Sequence, residues 1–114
     1  NYRYSYQRAV PEMQPLLVTR PNFAIWDDHD YGPNDSHSAF EYKKESLQLF
    51  KDYWTNKTFG EPDNPGTYGK FQWSDCEFFL MDDRYYRSPN EYPDSIGGKP
   101  NCNKNFWGQK QLQW

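Results

Sequence analysis

The chain has 114 residues, a net charge of −3 at neutral pH and a pI near 5.3, so it offers no basic field for a nucleic-acid backbone. No apolar run approaches the roughly 18 residues that a membrane-spanning helix needs. Hydrophobic residues make up 35% of the chain and aromatic residues 20%, so Trp, Tyr and Phe rather than Leu and Val must supply most of the buried area of a single domain over residues 1–114.

From Gln7 to Arg20, Val10, Met13, Leu16 and Leu17 recur at helical spacing. Pro11 fits a first turn while Pro15 costs a kink, which predicts a broken helix that Pro21 ends. Asn22 to Trp26 reads as a short strand buried on both faces, because Phe23, Ala24, Ile25 and Trp26 show no polar alternation. The stretch from Asp27 to Ser38 carries Gly32, Pro33, Asn34, Asp35 and Ser36, and is predicted as a loop. A helix is expected from Ser38, its N-cap, to about Asn56, with Phe40, Leu47, Phe50 and Trp54 as a core-facing stripe. Lys57 to Thr67 reads as loop. The alternation from Tyr68 to Trp73, a turn at Ser74-Asp75 and a return over Cys76 to Met81 predict a hairpin. Ser88 to Asn105 reads as irregular, and Asn105 to Trp114 as the opening of a helix. Cys76 and Cys102 are expected to be free thiols.

Chemistry concentrates in Trp26-Asp27-Asp28-His29-Asp30. Three carboxylates around one imidazole repel one another, and the apolar run before them would deliver them to the edge of a sheet, so the cluster requires a positive partner. A calcium-binding EF-hand register fails, since Gly32 at its sixth position puts His29 and Tyr31 where oxygen ligands belong. Two readings of the residues stay open: Asp28 as a hard oxygen ligand with His29 as a proton donor to a leaving oxygen, or an Asp-rich loop that caps a helix and meets only water. Arg84, in Asp82-Asp83-Arg84 at a strand end, can clamp a phosphate or pair with Asp82 or Asp27 and fix the loop, and the structural role is favoured. Asn34 is expected to bond the backbone of the Asp loop and hold His29 in position. His37 reads as a solvated loop residue and Tyr85, Tyr86 and Arg87 as packing. The Asn34-Asp35-Ser36 and Asn56-Lys57-Thr58 triplets fit a glycosylation pattern but are assigned no function.

The block Pro21-Asn22-Phe23-Ala24-Ile25-Trp26-Asp27-Asp28-His29-Asp30-Tyr31-Gly32-Pro33-Asn34-Asp35 resembles the signature of the PhoD-like (D-type) alkaline phosphatases of the metallophosphatase superfamily. The similarity continues, in the family's order, through Phe50-Lys51-Asp52-Tyr53-Trp54, Gly66-Thr67-Tyr68, the run from Glu77 to Arg87 and the run from Gly108 to Trp114. The resemblance implies an α/β fold, part of a four-layer α/β/β/α sandwich, and an exported hydrolase of small-molecule phosphomonoesters or phosphodiesters with iron and calcium as its ions. It implies Asp28 as a metal ligand, His29 as the catalytic residue contacting the phosphate, and Asp27, Asp30, Asn34 and Arg84 as supporting residues. Asp28 stands where the superfamily more often has Asn.

The family's other ligand blocks are expected outside these residues, so the chain is expected to be the central part of a catalytic domain, inactive without the flanking parts of the same parent chain. The rival expectations are a non-enzymatic module binding carbohydrate or peptide on exposed aromatic faces, and a degenerate homologue that keeps the fold as a scaffold.

Overall fold

A computed structural model describes residues 2–114. Helix α1 (Tyr2–Arg8) leads into a 3-10 turn at Pro11–Met13 and helix α2 (Gln14–Thr19). The broken helix is therefore present, and it is preceded by a turn of helix that the apolar spacing did not mark. Both prolines stand at helix starts, Pro11 in the first turn of the 3-10 segment and Pro15 in that of α2, where a missing N–H costs nothing, so no kink arises at Pro15. Residues 22–26 are extended but belong to no strand, contrary to expectation. The amide of Asn56 takes the place of a neighbouring strand: its Nδ2 donates to the Ala24 carbonyl at 2.6 Å and its Oδ1 accepts the Ala24 N–H at 3.1 Å. Nor is the segment buried on both faces, since Trp26 is buried while Ile25 is 43% exposed.

The Asp-rich loop is also corrected: its start is a one-turn helix, α3 (Asp28–Tyr31). Helix α4 (Lys43–Tyr53) follows, shorter than predicted. Ser38 is not its cap, because the Ser38 N–H is held by the Arg87 carbonyl and the Ser38 carbonyl accepts from Lys43 Nζ. The predicted stripe nevertheless faces inward. Trp26, Tyr31, Leu47, Phe50, Tyr4 and Tyr85 form the core, with Phe40, Leu49, Tyr53 and Trp54 packed against it. Trp26 is its centre, edge-on to Tyr31 and Phe50 at centroid distances of 4.9 and 5.6 Å and parallel to Tyr85 at 6.3 Å. Leu47 is the sole aliphatic side chain of the six, and burying each of the larger ones contributes about 1.5–3 kcal/mol.

Beyond α4 the backbone forms three separate antiparallel pairs. Strands β1 (Gly60–Glu61) and β2 (Asn64–Pro65) make a two-residue ladder inside the predicted loop. Strands β3 (Gly69–Trp73) and β4 (Cys76–Leu80) make the expected hairpin, in register from Gly69 opposite Leu80 to Trp73 opposite Cys76, with Ser74 at φ +54° in the turn. Strands β5 (Ser95–Ile96) and β6 (Lys99–Pro100) pair across Gly97-Gly98. Helix α5 (Gln109–Gln113) closes the described chain, as expected. Cys76 and Cys102 are free and exposed. The chain is thus mixed α/β, and no described helix is long and apolar enough to cross a membrane.

Candidate functional site

Helix α3 exists because Asp27 caps it. The Asp27 side chain accepts the Asp30 backbone N–H while the Asp27 N–H lies 3.4 Å from Asp30 Oδ2, a reciprocal capping box, and Asp27 Oδ1 also accepts the Asp28 N–H at 2.8 Å. Their negative charge also suits the positive end of the helix. The spacing Asp27…Asp30 carried this signal in the sequence, as an N-cap residue followed three positions later by an acid.

The positive partner that the cluster requires is Arg84. Its Nη2 donates to Asp27 Oδ1 at 2.5 Å, and its Nε faces Asp83 Oδ2 at 3.5 Å, an ion pair longer than a good hydrogen bond. Arg84 is itself buried, so the pair is shielded from water on the arginine side and open on the Asp27 side. Burial pushes the Asp83 carboxyl up, and the pull of Arg84 only partly offsets it. Arg84 therefore fixes the loop, as favoured from the sequence. Its partners are Asp27 and Asp83, while Asp82 meets it only through the backbone N–H.

Asp28 turns both carboxylate oxygens onto backbone N–H groups. Oδ2 accepts from Asp35 at 3.0 Å and Oδ1 from His29 at 2.9 Å. The Asp35 N–H holds the Asp28 pKa below the usual carboxylate value, with smaller help from the His29 N–H and charge and from Arg84. Asp28 thus ties α3 to the turn at Asp35, whose φ of +58° aims its N–H back at the carboxylate. Each oxygen keeps a free lone pair, and Asp28 stays partly exposed.

Asn34 does not act as predicted. Its Nδ2 donates to Asp35 Oδ2 at 2.7 Å, so it steadies the Asp35 side chain and makes no bond to the loop backbone or to His29. His37 hydrogen-bonds locally, its Nδ1 accepting the Ala39 N–H at 3.3 Å.

His29 is exposed and opens onto a cleft of about 620 Å³ between three helices. Tyr2, Arg3, Tyr4 and Gln7 of α1, His29 and Asp30 of α3 and Leu49 of α4 line it. Helix α1 is held over α4 by stacking of Tyr4 on Tyr53 at 5.2 Å, a 2.6 Å hydrogen bond between the Ser5 and Tyr53 hydroxyls, and the Arg8 guanidinium 4.4 Å from the Trp54 ring. Burial and the charge of Asp30 raise the Tyr4 pKa, so its hydroxyl stays protonated.

The residue that sequence reasoning missed is Asp82. It is fully buried, and its Oδ1 accepts from Trp26 Nε1, the Arg84 N–H and the Tyr85 N–H, each at 2.9 Å, while Oδ2 accepts from the Thr67 N–H at 2.8 Å. Gly66 makes room for it, since a β-carbon there would meet Asp82 Oδ2 at 2.7 Å. The backbone of Asp82 is clasped in turn by Gln111, which accepts its N–H at 2.8 Å and donates to its carbonyl at 2.9 Å. One carboxylate thereby fixes Trp26, the residue before the acidic motif, and Arg84, the cation that holds it.

Among the described residues, no three His, Cys, Asp or Glu side chains gather as a metal-binding group. Asp27 is engaged by the helix cap and by Arg84. No protein-family model, no curated protein and no solved structure matches the chain.

Proposed function

We propose that this chain is the central part of a phosphoester hydrolase of the PhoD-like type, in which His29 handles the phosphoryl group and its leaving oxygen. The observation that carries the reading is the placement of His29: an exposed imidazole at a cleft, on a helical turn held by Asp27, Arg84 and the Asp28–Asp35 tie. A proton donor needs access to the substrate and a backbone that holds its place, and the turn supplies both. In this role the protonated imidazole gives its proton to the departing alkoxide. Asp30 lies at the same cleft, and Asp28 is adjacent in the chain.

The resemblance makes the reaction metal-dependent, with iron and calcium as the ions. The described residues do not complete such a centre, so an ion at Asp28 takes its other ligands from flanking parts of the same parent chain, and no step is assigned to it here. The unpaired extended segment 22–26 and the exposed hairpin fit inner parts of the larger four-layer α/β/β/α sandwich. Export from the cell follows from the same resemblance.

A second reading rests on the hairpin. Trp73 is 66% exposed and Phe78 45%, beside a stack of Phe23, Phe71 and Phe78 at 4.2 and 4.9 Å, an apolar surface of the kind that binds sugar rings or peptide. A scaffold without catalysis would share that surface. The parent polypeptide separates these readings when it is assayed on a phosphoester with metal bound, after chelation, and as Asp28→Asn. Turnover that chelation abolishes, metal restores and Asp28→Asn weakens is expected. A metal-free parent that binds oligosaccharide and hydrolyses nothing contradicts the proposal.

A further inference from the structure

The cleft at His29 is two-sided in its chemistry, and that narrows the substrate. Arg3 and Asp30 give it charge, His29 an imidazole, Gln7 an amide, and Tyr2, Tyr4 and Leu49 two rings and an aliphatic surface. Its volume of about 620 Å³ lies within the roughly 300–1,000 Å³ of small-molecule sites and far exceeds what a phosphate group occupies. The two rings belong to a helix that is itself held by the Tyr4–Tyr53 stack, so the wall keeps its shape without a ligand. Tyr4 is buried in that wall, whereas Tyr2 is 80% exposed at its rim, its ring stacked on Tyr6 at 6.2 Å.

We propose that this cleft receives the alcohol portion of the phosphoester and selects an aromatic one, seated against Tyr2, Tyr4 and Leu49 while its phosphoryl group lies at His29 and Arg3. The inference rests on the hydrolase reading for the identity of the anion, and its aromatic preference is separable from turnover. A ring in the cleft gains apolar contact and ring–ring attraction that a methyl group cannot, and Arg3 attracts the phosphoryl charge of either ester equally. Specificity then comes from the apolar wall and general affinity from the arginine.

The test titrates the 114-residue chain, and the parent polypeptide beside it, with phenyl phosphate, methyl phosphate and phenol, following the two histidine ring signals by NMR. Phenyl phosphate is expected to bind on the order of tenfold more tightly than methyl phosphate and to shift His29, with His37 unmoved as the internal reference. Tyr2→Ala, at an exposed position, is expected to remove most of that preference. Arg3→Gln should weaken both esters alike. Equal affinity for the two esters, a preference that survives Tyr2→Ala, or a response at His37 in place of His29 overturns the proposal. Selective binding of phenyl phosphate by a parent that never hydrolyses it keeps the aromatic cleft and removes the hydrolase. Turnover with no preference for the aryl ester does the reverse.

Discussion

Asp28 and Asp82 are two carboxylates with opposite surroundings, and the contrast explains their tasks. Asp82 is sealed, with four donors on its two oxygens, and does structural work. Asp28 is open, with one backbone donor on each oxygen and capacity left over. Because its pKa is lowered on folding, the Asp28 tie contributes stability that is fully present above the ordinary value of 3.8 and is lost as pH falls through the lower folded value. Hydrogen exchange of the Asp35 amide, compared with the amides of α4 across an acid titration, is expected to show Asp35 losing protection first, below pH 3.8. Simultaneous loss across α4 would show that Asp28 does not govern the turn. At this scale the sequence was informative about Arg84, whose pairing with Asp27 follows from its type and place. It was silent about Asp82, since nothing local separates a strand-end Asp that becomes a buried acceptor from one that stays in water.

At the scale of elements, legibility followed whether an element completes itself. The β3–β4 hairpin was readable because its alternation and turn are local, and α4 because its stripe finds the core within the same chain. The segment 22–26 reads as a strand by composition yet lacks a neighbour, and the Asn56 side chain satisfies Ala24 instead. Helix α3 reads as loop because turn-forming residues crowd its C-terminal side, although the capping pair Asp27 and Asp30 marks its start. The elements around the site are joined through Asp82, which links residue 26, the turn at Thr67, Arg84 and, through Gln111, α5. Asp82→Ala strands several buried donors and is expected to cost about 3 kcal/mol or more in a urea melt. The same change at exposed Asp75 in the hairpin turn is expected to cost less than about 0.5 kcal/mol. Equal losses at the two positions would remove Asp82 from its central place.

The whole molecule is more open than its length suggests. Its radius of gyration is 16.2 Å, where a compact domain of this length has about 13 Å, and its accessible surface is 8034 Å², where about 6,600 Å² is usual for its mass. Three two-stranded sheets without a common layer account for the difference, together with a hairpin whose Trp73, Phe78 and Phe79 face outward. Patterning within the chain specified its elements and the mixed α/β class, while the sandwich stays an expectation. Against that open frame the acidic motif is tightly held, with the buried core on one side and the aromatic cleft on the other. The most direct test of the central claim is the turnover of a phosphoester by the parent polypeptide carrying His29→Ala, with bound metal measured in the same preparation. Turnover lower by on the order of 10²-fold at unchanged metal content is the predicted result, and unchanged turnover at that same metal content would contradict it.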